Sequence, residues 1–350
     1  MKKSLIALAA LAAVSAASAQ SSVTISGALV LAVGATEIGT AASDLQIARQ
    51  TGNIQFAGTE DLGGGLKAGF ALQTAIGAVA TTNQTTSVVG QRSILGDRAA
   101  YITLSGDFGG VLVGRANTSV RNQMGTADVT GLSIVTGFSD ADSGESFSTA
   151  GKVAIASGDS NARIIYGDTF SNMVAYDSPT ISGFNVSVGI APVQTVSSAV
   201  GDDSVGKDTI SYTLNYSNGP LKASVNLTDV QGGTAPYQLT TMVANYDLGV
   251  AKIGLAQQSV RLDSGTNPGN GILVTAQVPM GNGWWGLGYG RRVASGSSST
   301  SFGDDVKQAT IGYRYNLSKR THLQAVYNNI DRNGTTTDMK ETHIMVGHSF

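Results

Sequence analysis

The segment Thr342-His343-Ile344-Met345-Val346-Gly347-His348-Ser349-Phe350 ends the chain with Ile344, Val346 and the aromatic Phe350 on alternate positions. Successive side chains of a strand point to opposite faces, so these three residues share one side. An apolar side ending in an aromatic suits a strand that faces lipid and stops in an interfacial girdle. Ile344, Val346 and Phe350 are therefore expected to form the terminal strand by which a membrane barrel is recognised and assembled.

The same period of two governs the rest of the chain. Val23, Ile25, Leu29, Leu31 and Val33 alternate with small or polar residues, as do Leu66, Ala68, Phe70 and Leu72. Further on, Ile210, Tyr212, Leu214 and Tyr216 repeat the pattern, followed by Leu221, Ala223, Val225 and Leu227. Ile272, Val274, Ala276 and Val278, then Ile311, Tyr313, Tyr315 and Leu317, continue it. Each run pairs an apolar face with one that carries polar side chains, the signature of a strand between grease and water.

The connections have their own rhythm. Tight turns such as Ser217-Asn218-Gly219-Pro220 and Asp247-Leu248-Gly249 alternate with longer polar stretches at 34–48, 78–96, 192–207, 294–305 and 332–340. Short turns at one end and long loops at the other describe an up-and-down barrel of about sixteen strands. No stretch repeats a consensus, which argues against a solenoid. A soluble β-sandwich or a β-helix adhesin alternates as well, and periodicity alone leaves those readings open.

Residues 1–19 read as a signal peptide, with Lys2 and Lys3, an apolar run from Leu5 to Val14, and the small residues Ala17-Ser18-Ala19. Residues 20–350 then form the barrel. That stretch contains no apolar run of about 18 residues, so helical spans are not expected. The chain has no cysteine, which excludes disulfides and thiolate metal sites. Its formal charge of -2 argues against nucleic acid as a partner. No cofactor or metal is expected. The chain has three histidines, His322, His343 and His348, and carries neither a Gly-x-Ser-x-Gly nucleophile elbow nor a His-Glu-x-x-His zinc motif, so catalysis is not expected. Gly286-Leu287-Gly288-Tyr289-Gly290 follows Trp284-Trp285 inside a strand pattern, and reads as small residues on a crowded wall rather than a nucleotide loop.

Several strings resemble those of Gram-negative general porins, particularly the β-proteobacterial type. They include Phe56-Ala57-Gly58-Thr59-Glu60-Asp61-Leu62-Gly63-Gly64-Gly65-Leu66-Lys67-Ala68 and Arg98-Ala99-Ala100-Tyr101-Ile102-Thr103-Leu104 running on to Gly114-Arg115. Tyr176-Asp177-Ser178-Pro179, Leu317-Ser318-Lys319-Arg320-Thr321 and Gly347-His348-Ser349-Phe350 match in the same order. The resemblance implies a sixteen-stranded antiparallel transmembrane β-barrel in the bacterial outer membrane, with a long loop folded into the lumen. Its partners would be outer-membrane lipid, two further copies of the chain in a homotrimer, the barrel-assembly machinery, and the ions and small hydrophilic solutes that diffuse through.

Residues 116–160 are the long stretch with weak alternation, and the resemblance makes them the constriction loop. By motif position Arg98 and Arg115 match wall arginines that would face loop acids, with Arg49 as a further candidate. The loop residues are Arg121, Asp128, Asp140, Asp142 and Glu145, with Asp128 placed where relatives carry an acid. Two wall positions depart from the family pattern, where Asn53 and Ala175 stand in place of arginines. A thinned arginine cluster predicts weak charge selectivity. The alternative is a channel specific for an anion or a sugar. Trp284 and Trp285 are adjacent, however, so one of them at most faces inward and no aromatic slide is expected.

Overall fold

The computed structural model describes residues 22–39, 45–76, 95–132, 169–192, 207–232, 236–263, 269–293, 305–333 and 338–350. Sixteen strands form the wall: β1 (Ser22–Ile38), β2 (Gln46–Gly63), β3 (Leu66–Ala75), β4 (Ala99–Gly106), β5 (Gly109–Asn117), β6 (Thr169–Asp177), β7 (Phe184–Ala191) and β8 (Lys207–Asn218). The second half consists of β9 (Leu221–Gly232), β10 (Tyr237–Asp247), β11 (Lys252–Leu262), β12 (Gly269–Met280), β13 (Gly283–Val293), β14 (Asp305–Asn316), β15 (Thr321–Asn333) and β16 (Met339–Ser349). Each pairs antiparallel with its sequence neighbours, and β1 pairs with β16 to close the barrel. Closure leaves no strand edge unpaired, the condition a sheet must meet inside hydrocarbon.

The closing seam includes the last residue. Phe350 and Gly27 exchange backbone N–H···O bonds at 3.0 Å in each direction. A Cβ on Gly27 would lie 2.5 Å from the Phe350 ring, so the glycine makes room for the terminal aromatic. Ile344, Val346 and Phe350 face outward at 66%, 48% and 46% exposure, as the alternation required.

The outward face is apolar around the whole circumference, from Val23 and Ile25 on β1 through Tyr212 and Leu214 on β8 to Ile272, Val274 and Leu287 on β12 and β13. In water such a surface would be unstable; in a bilayer it is the solvated one. The short turns that join even strands to the following odd strands lie at the end that carries Ser22 and Phe350. Aromatics gather near that end, where Tyr176 Oη donates to Phe108 O at 2.7 Å and Trp285 stacks on Tyr313 at 5.1 Å. Amphipathic rings at the edge of an apolar band mark the level of the lipid headgroups.

Candidate functional site: the barrel lumen

Beyond β5 the chain turns into the barrel and forms α1 (Ser119–Ala127), a nine-residue helix. Thr118 caps it, its Oγ1 accepting from the N–H of Arg121 at 3.3 Å. The helix buries Val120, Gln123, Met124 and Ala127, spaced i, i+3, i+4 and i+7 along one face. Met124 and Ala127 pack with Val243, Ala256 and Leu273, which are inward residues of β10, β11 and β12. Leu132, beyond the helix, packs on Val30, Ala32, Val326 and Met345 of β1, β15 and β16. One short segment thus covers the apolar inner wall from β10 round to β1.

Polar bonds fix the same path. Thr275 Oγ1 donates to Ala127 O at 2.5 Å and accepts from Val129 N at 3.2 Å. Asn245 Nδ2 donates to Thr126 O at 2.8 Å, and Trp284 Nε1 donates to Thr130 O at 2.8 Å. Trp284 is therefore the inward member of the Trp pair, while Trp285 faces out. The other face of the Trp284 ring carries Arg314, whose Cζ lies 4.8 Å from the ring centroid. Cation–π stacking stiffens the residue that holds Thr130.

The opposite wall runs from β2 to β8. A space of about 400 Å³ is lined by Gln55, Gln73, Tyr101, Asn122, Asn185 and Asn215, among others. Among the described residues of that lining, Arg98 and Asp177 are the charged ones. Carboxamides dominate and partly pair with each other: Gln73 Nε2 donates to Gln55 Oε1 at 2.9 Å, and Gln123 Nε2 to Asn215 Oδ1 at 3.4 Å. Asp177 is held by the Ser187 hydroxyl.

The residues singled out in the sequence fall in different places. Arg98 lines the open space, its backbone N–H bonded to Gln73 O at 3.1 Å. Asn53 lies two residues from Gln55 on β2, opposite Ala28 and Ala75, and so shares the lumen face. Arg49 pairs with Leu31 beside a bulge in β1–β2. Arg121 stands in the first turn of α1. Asp128 is buried at the end of α1, where one carboxylate oxygen accepts from Thr130 N at 3.0 Å and Thr130 Oγ1 at 2.5 Å. It thereby holds the turn that delivers Thr130 and Leu132 to the wall. Asp140, Asp142 and Glu145 lie outside the described residues, as do residues 1–19 and the loop from 133 to 160.

Arg115 needs a correction. The β4–β5 register runs Ile102↔Val113, Tyr101↔Gly114, Ala100↔Arg115 without a break. Arg115 therefore shares the outward face of Ile102 and Val113, whereas Tyr101 lines the lumen. Its Nε donates to Asp97 O at 2.6 Å, at the loop end of the wall and beside a register shift between β5 and β6 at Gly114 and Ala116. Motif position alone carries no information on which side of the sheet a strand residue takes.

A closed sixteen-stranded barrel with a lipid-facing exterior, a polar interior and a folded segment inside defines a channel-forming membrane protein. The family model described as Gram-negative porin matches residues 7–335, and the chain belongs to that family. Outer membrane porin protein 32 of Delftia acidovorans is 34% identical, with 94% of this chain and 89% of that protein covered. Among solved structures, an anion-selective porin from Comamonas acidovorans superposes with a TM-score of 0.66 at 24% identity, covering 95% of this chain and 100% of the other. OmpT of Vibrio cholerae, solved in a trimer form, gives 0.61 at 13% identity, covering 94% and 99%. The protein is thus an outer-membrane porin, a channel and not an enzyme.

Proposed function

We propose that this porin is a general diffusion channel of weak charge selectivity, narrowed by the segment that runs from α1 into residues 128–160. The carrying observation is the composition of the open space, where carboxamides and hydroxyls outnumber one arginine and one aspartate. Charged rings select by sign, and neutral amides select by little beyond size. Arg98 supplies the positive side of the constriction. Asp128 acts as the fastener of the segment, with Asp140, Asp142 and Glu145 as the loop acids that balance Arg98 and Arg121. The similarity to an anion-selective porin supports a slight preference for anions over cations.

The working unit is proposed to be a homotrimer, as the trimer form of a structurally similar barrel supports. Planar-bilayer conductance in a salt gradient tests the reading. Steady steps in groups of three with a small reversal potential are expected. Near-ideal rejection of either ion, or saturable uptake of one solute, would replace general diffusion with a specific channel.

A further inference from the structure

Three glycines on the inner wall stand where the lumen segment lies closest to the strands. A Cβ added to Gly286 on β13 would sit 2.6 Å from Leu132 Cδ1 and 3.0 Å from both Leu132 Cγ and Thr130 Cβ. At Gly312 on β14 it would meet the same Leu132 Cδ1 at 2.7 Å, together with Ala325 O and Val326 Cγ2 of β15 at 2.8 Å. At Gly254 on β11 it would run into the carbonyl oxygen of Ala127, a backbone atom that has no rotamer with which to yield. None of the three has the positive φ that would call for glycine on conformational grounds. Glycine in a strand also weakens it, so a reason in packing is required. That reason is the direct approach of residues 127–132.

We propose that Gly254, Gly286 and Gly312 are positioning residues that determine the solute size the channel passes. Their bare α-carbons set how deeply residues 127–132 lie in the wall, and hence how far the constriction projects into the lumen. This rests on the reading that the segment narrows the channel. Carbon atoms pack at about 3.5–4.0 Å, so a methyl at Gly286 pushes Leu132 away by about 1 Å, and a valine side chain pushes it further. Displacement away from β13 and β14 carries the segment toward the lumen interior. Trp284 borders the seat of the segment, since a Cβ added to Gly131 would lie 3.1 Å from its ring and Thr130 O accepts its indole N–H.

The chain has two tryptophans, so a Trp285→Phe background leaves Trp284 as the sole indole reporter of the seat. In that background Gly286→Ala and Gly286→Val are compared with the parent for Trp284 emission, quenching by acrylamide and single-channel conductance. Folding is checked by heat-modifiable migration. We expect faster quenching, a conductance lowered roughly twofold for valine and less for alanine, and a smaller exclusion size for polyethylene glycols. Adding Leu132→Ala to Gly286→Ala removes the clashing atoms and should return both signals toward the parent, which a general loss of strand stability would not do. Unchanged quenching in Gly286→Val, or failure of Leu132→Ala to rescue, overturns the seat. Altered quenching with unaltered conductance and exclusion size overturns instead the reading that the segment narrows the pore, and the proposal with it.

Discussion

Replacing Arg98 by glutamine removes the one cation among the described residues that line the open space and leaves a shorter, neutral amide that still donates and accepts hydrogen bonds. The effect on selectivity follows from the size of the space. A sphere of 400 Å³ has a radius near 5 Å, and with the radius of a water molecule an ion at its centre lies about 6 Å from the lining. At that distance a unit charge in bulk water exerts about 0.7 kcal/mol, which screening at ~0.1 M salt reduces to about 0.4 kcal/mol. That is roughly a twofold gain for each anion and a twofold loss for each cation, so the permeability ratio moves by about three- to fourfold. In a tenfold potassium chloride gradient, Arg98→Gln should shift the reversal potential toward cations by on the order of 20 mV, and the shift should shrink as total salt rises. A shift of a few millivolts, a shift toward anions, or one that is insensitive to salt would refute the reasoning.

Other expectations concern the wall and the segment. Thr275→Val keeps the shape of the side chain but leaves Ala127 O and Val129 N without their partner. A local cost of about 2–4 kcal/mol follows, and amide exchange across residues 119–132 should quicken by on the order of 30- to 1,000-fold in mass-spectrometric exchange; unchanged protection would contradict it. Ile344→Lys puts a charge on an outward position of β16 that is 66% exposed and should lower stability in vesicles by about 2–4 kcal/mol in urea titrations, while a neutral outcome would place Ile344 away from the hydrocarbon midplane. Deleting Phe350 removes both hydrogen bonds to Gly27 and the ring above it, and should slow barrel assembly in cells and into vesicles. Wild-type assembly rates in that variant would show that Phe350 carries no signal.

The wall was legible in the sequence because a barrel between lipid and water imposes period two on every strand, and turn residues punctuate it. Even the parity of Trp284 and Trp285 was available, since adjacent strand residues take opposite faces. The helix α1 was hidden by a search for alternation, although Val120, Met124 and Ala127 already stood at i, i+4 and i+7 behind the capping Thr118. A helical period would have revealed it. Arg115 failed for a different reason: its motif resembled that of a lumen arginine, but its side of the sheet depends on the register with Ala100. Arg314 was passed over because its inward position matters only once Trp284 is known to lie across from it on β13.

A subtler signal lay in the inward residues themselves. An inner wall that borders a watery lumen should be largely polar, and much of β7 to β9 is, with Ser187, Ser211, Thr213, Ser224, Asn226 and Thr228, although Ala191 and Val230 on the same face are apolar. From β10 round to β1, patches of inward positions turn small or apolar amid polar neighbours such as Gln258, Thr275 and Gln324, with Val243, Gly254, Ala256 and Leu273 in one patch and Gly286, Gly312, Val326, Met345, Val30 and Ala32 in another. Left open to water, that surface would forfeit about 25 cal/mol for every Å² of apolar area. It must therefore be covered from inside, and the chain supplies one neighbouring apolar segment, Val120 to Leu132, to cover it. The apolar patches in the lumen-facing pattern thus mark where the segment lies. Polar substitutions at Ala256 or Val326 should loosen the segment, because Ala256 packs with Met124 and Ala127 and Val326 packs with Leu132.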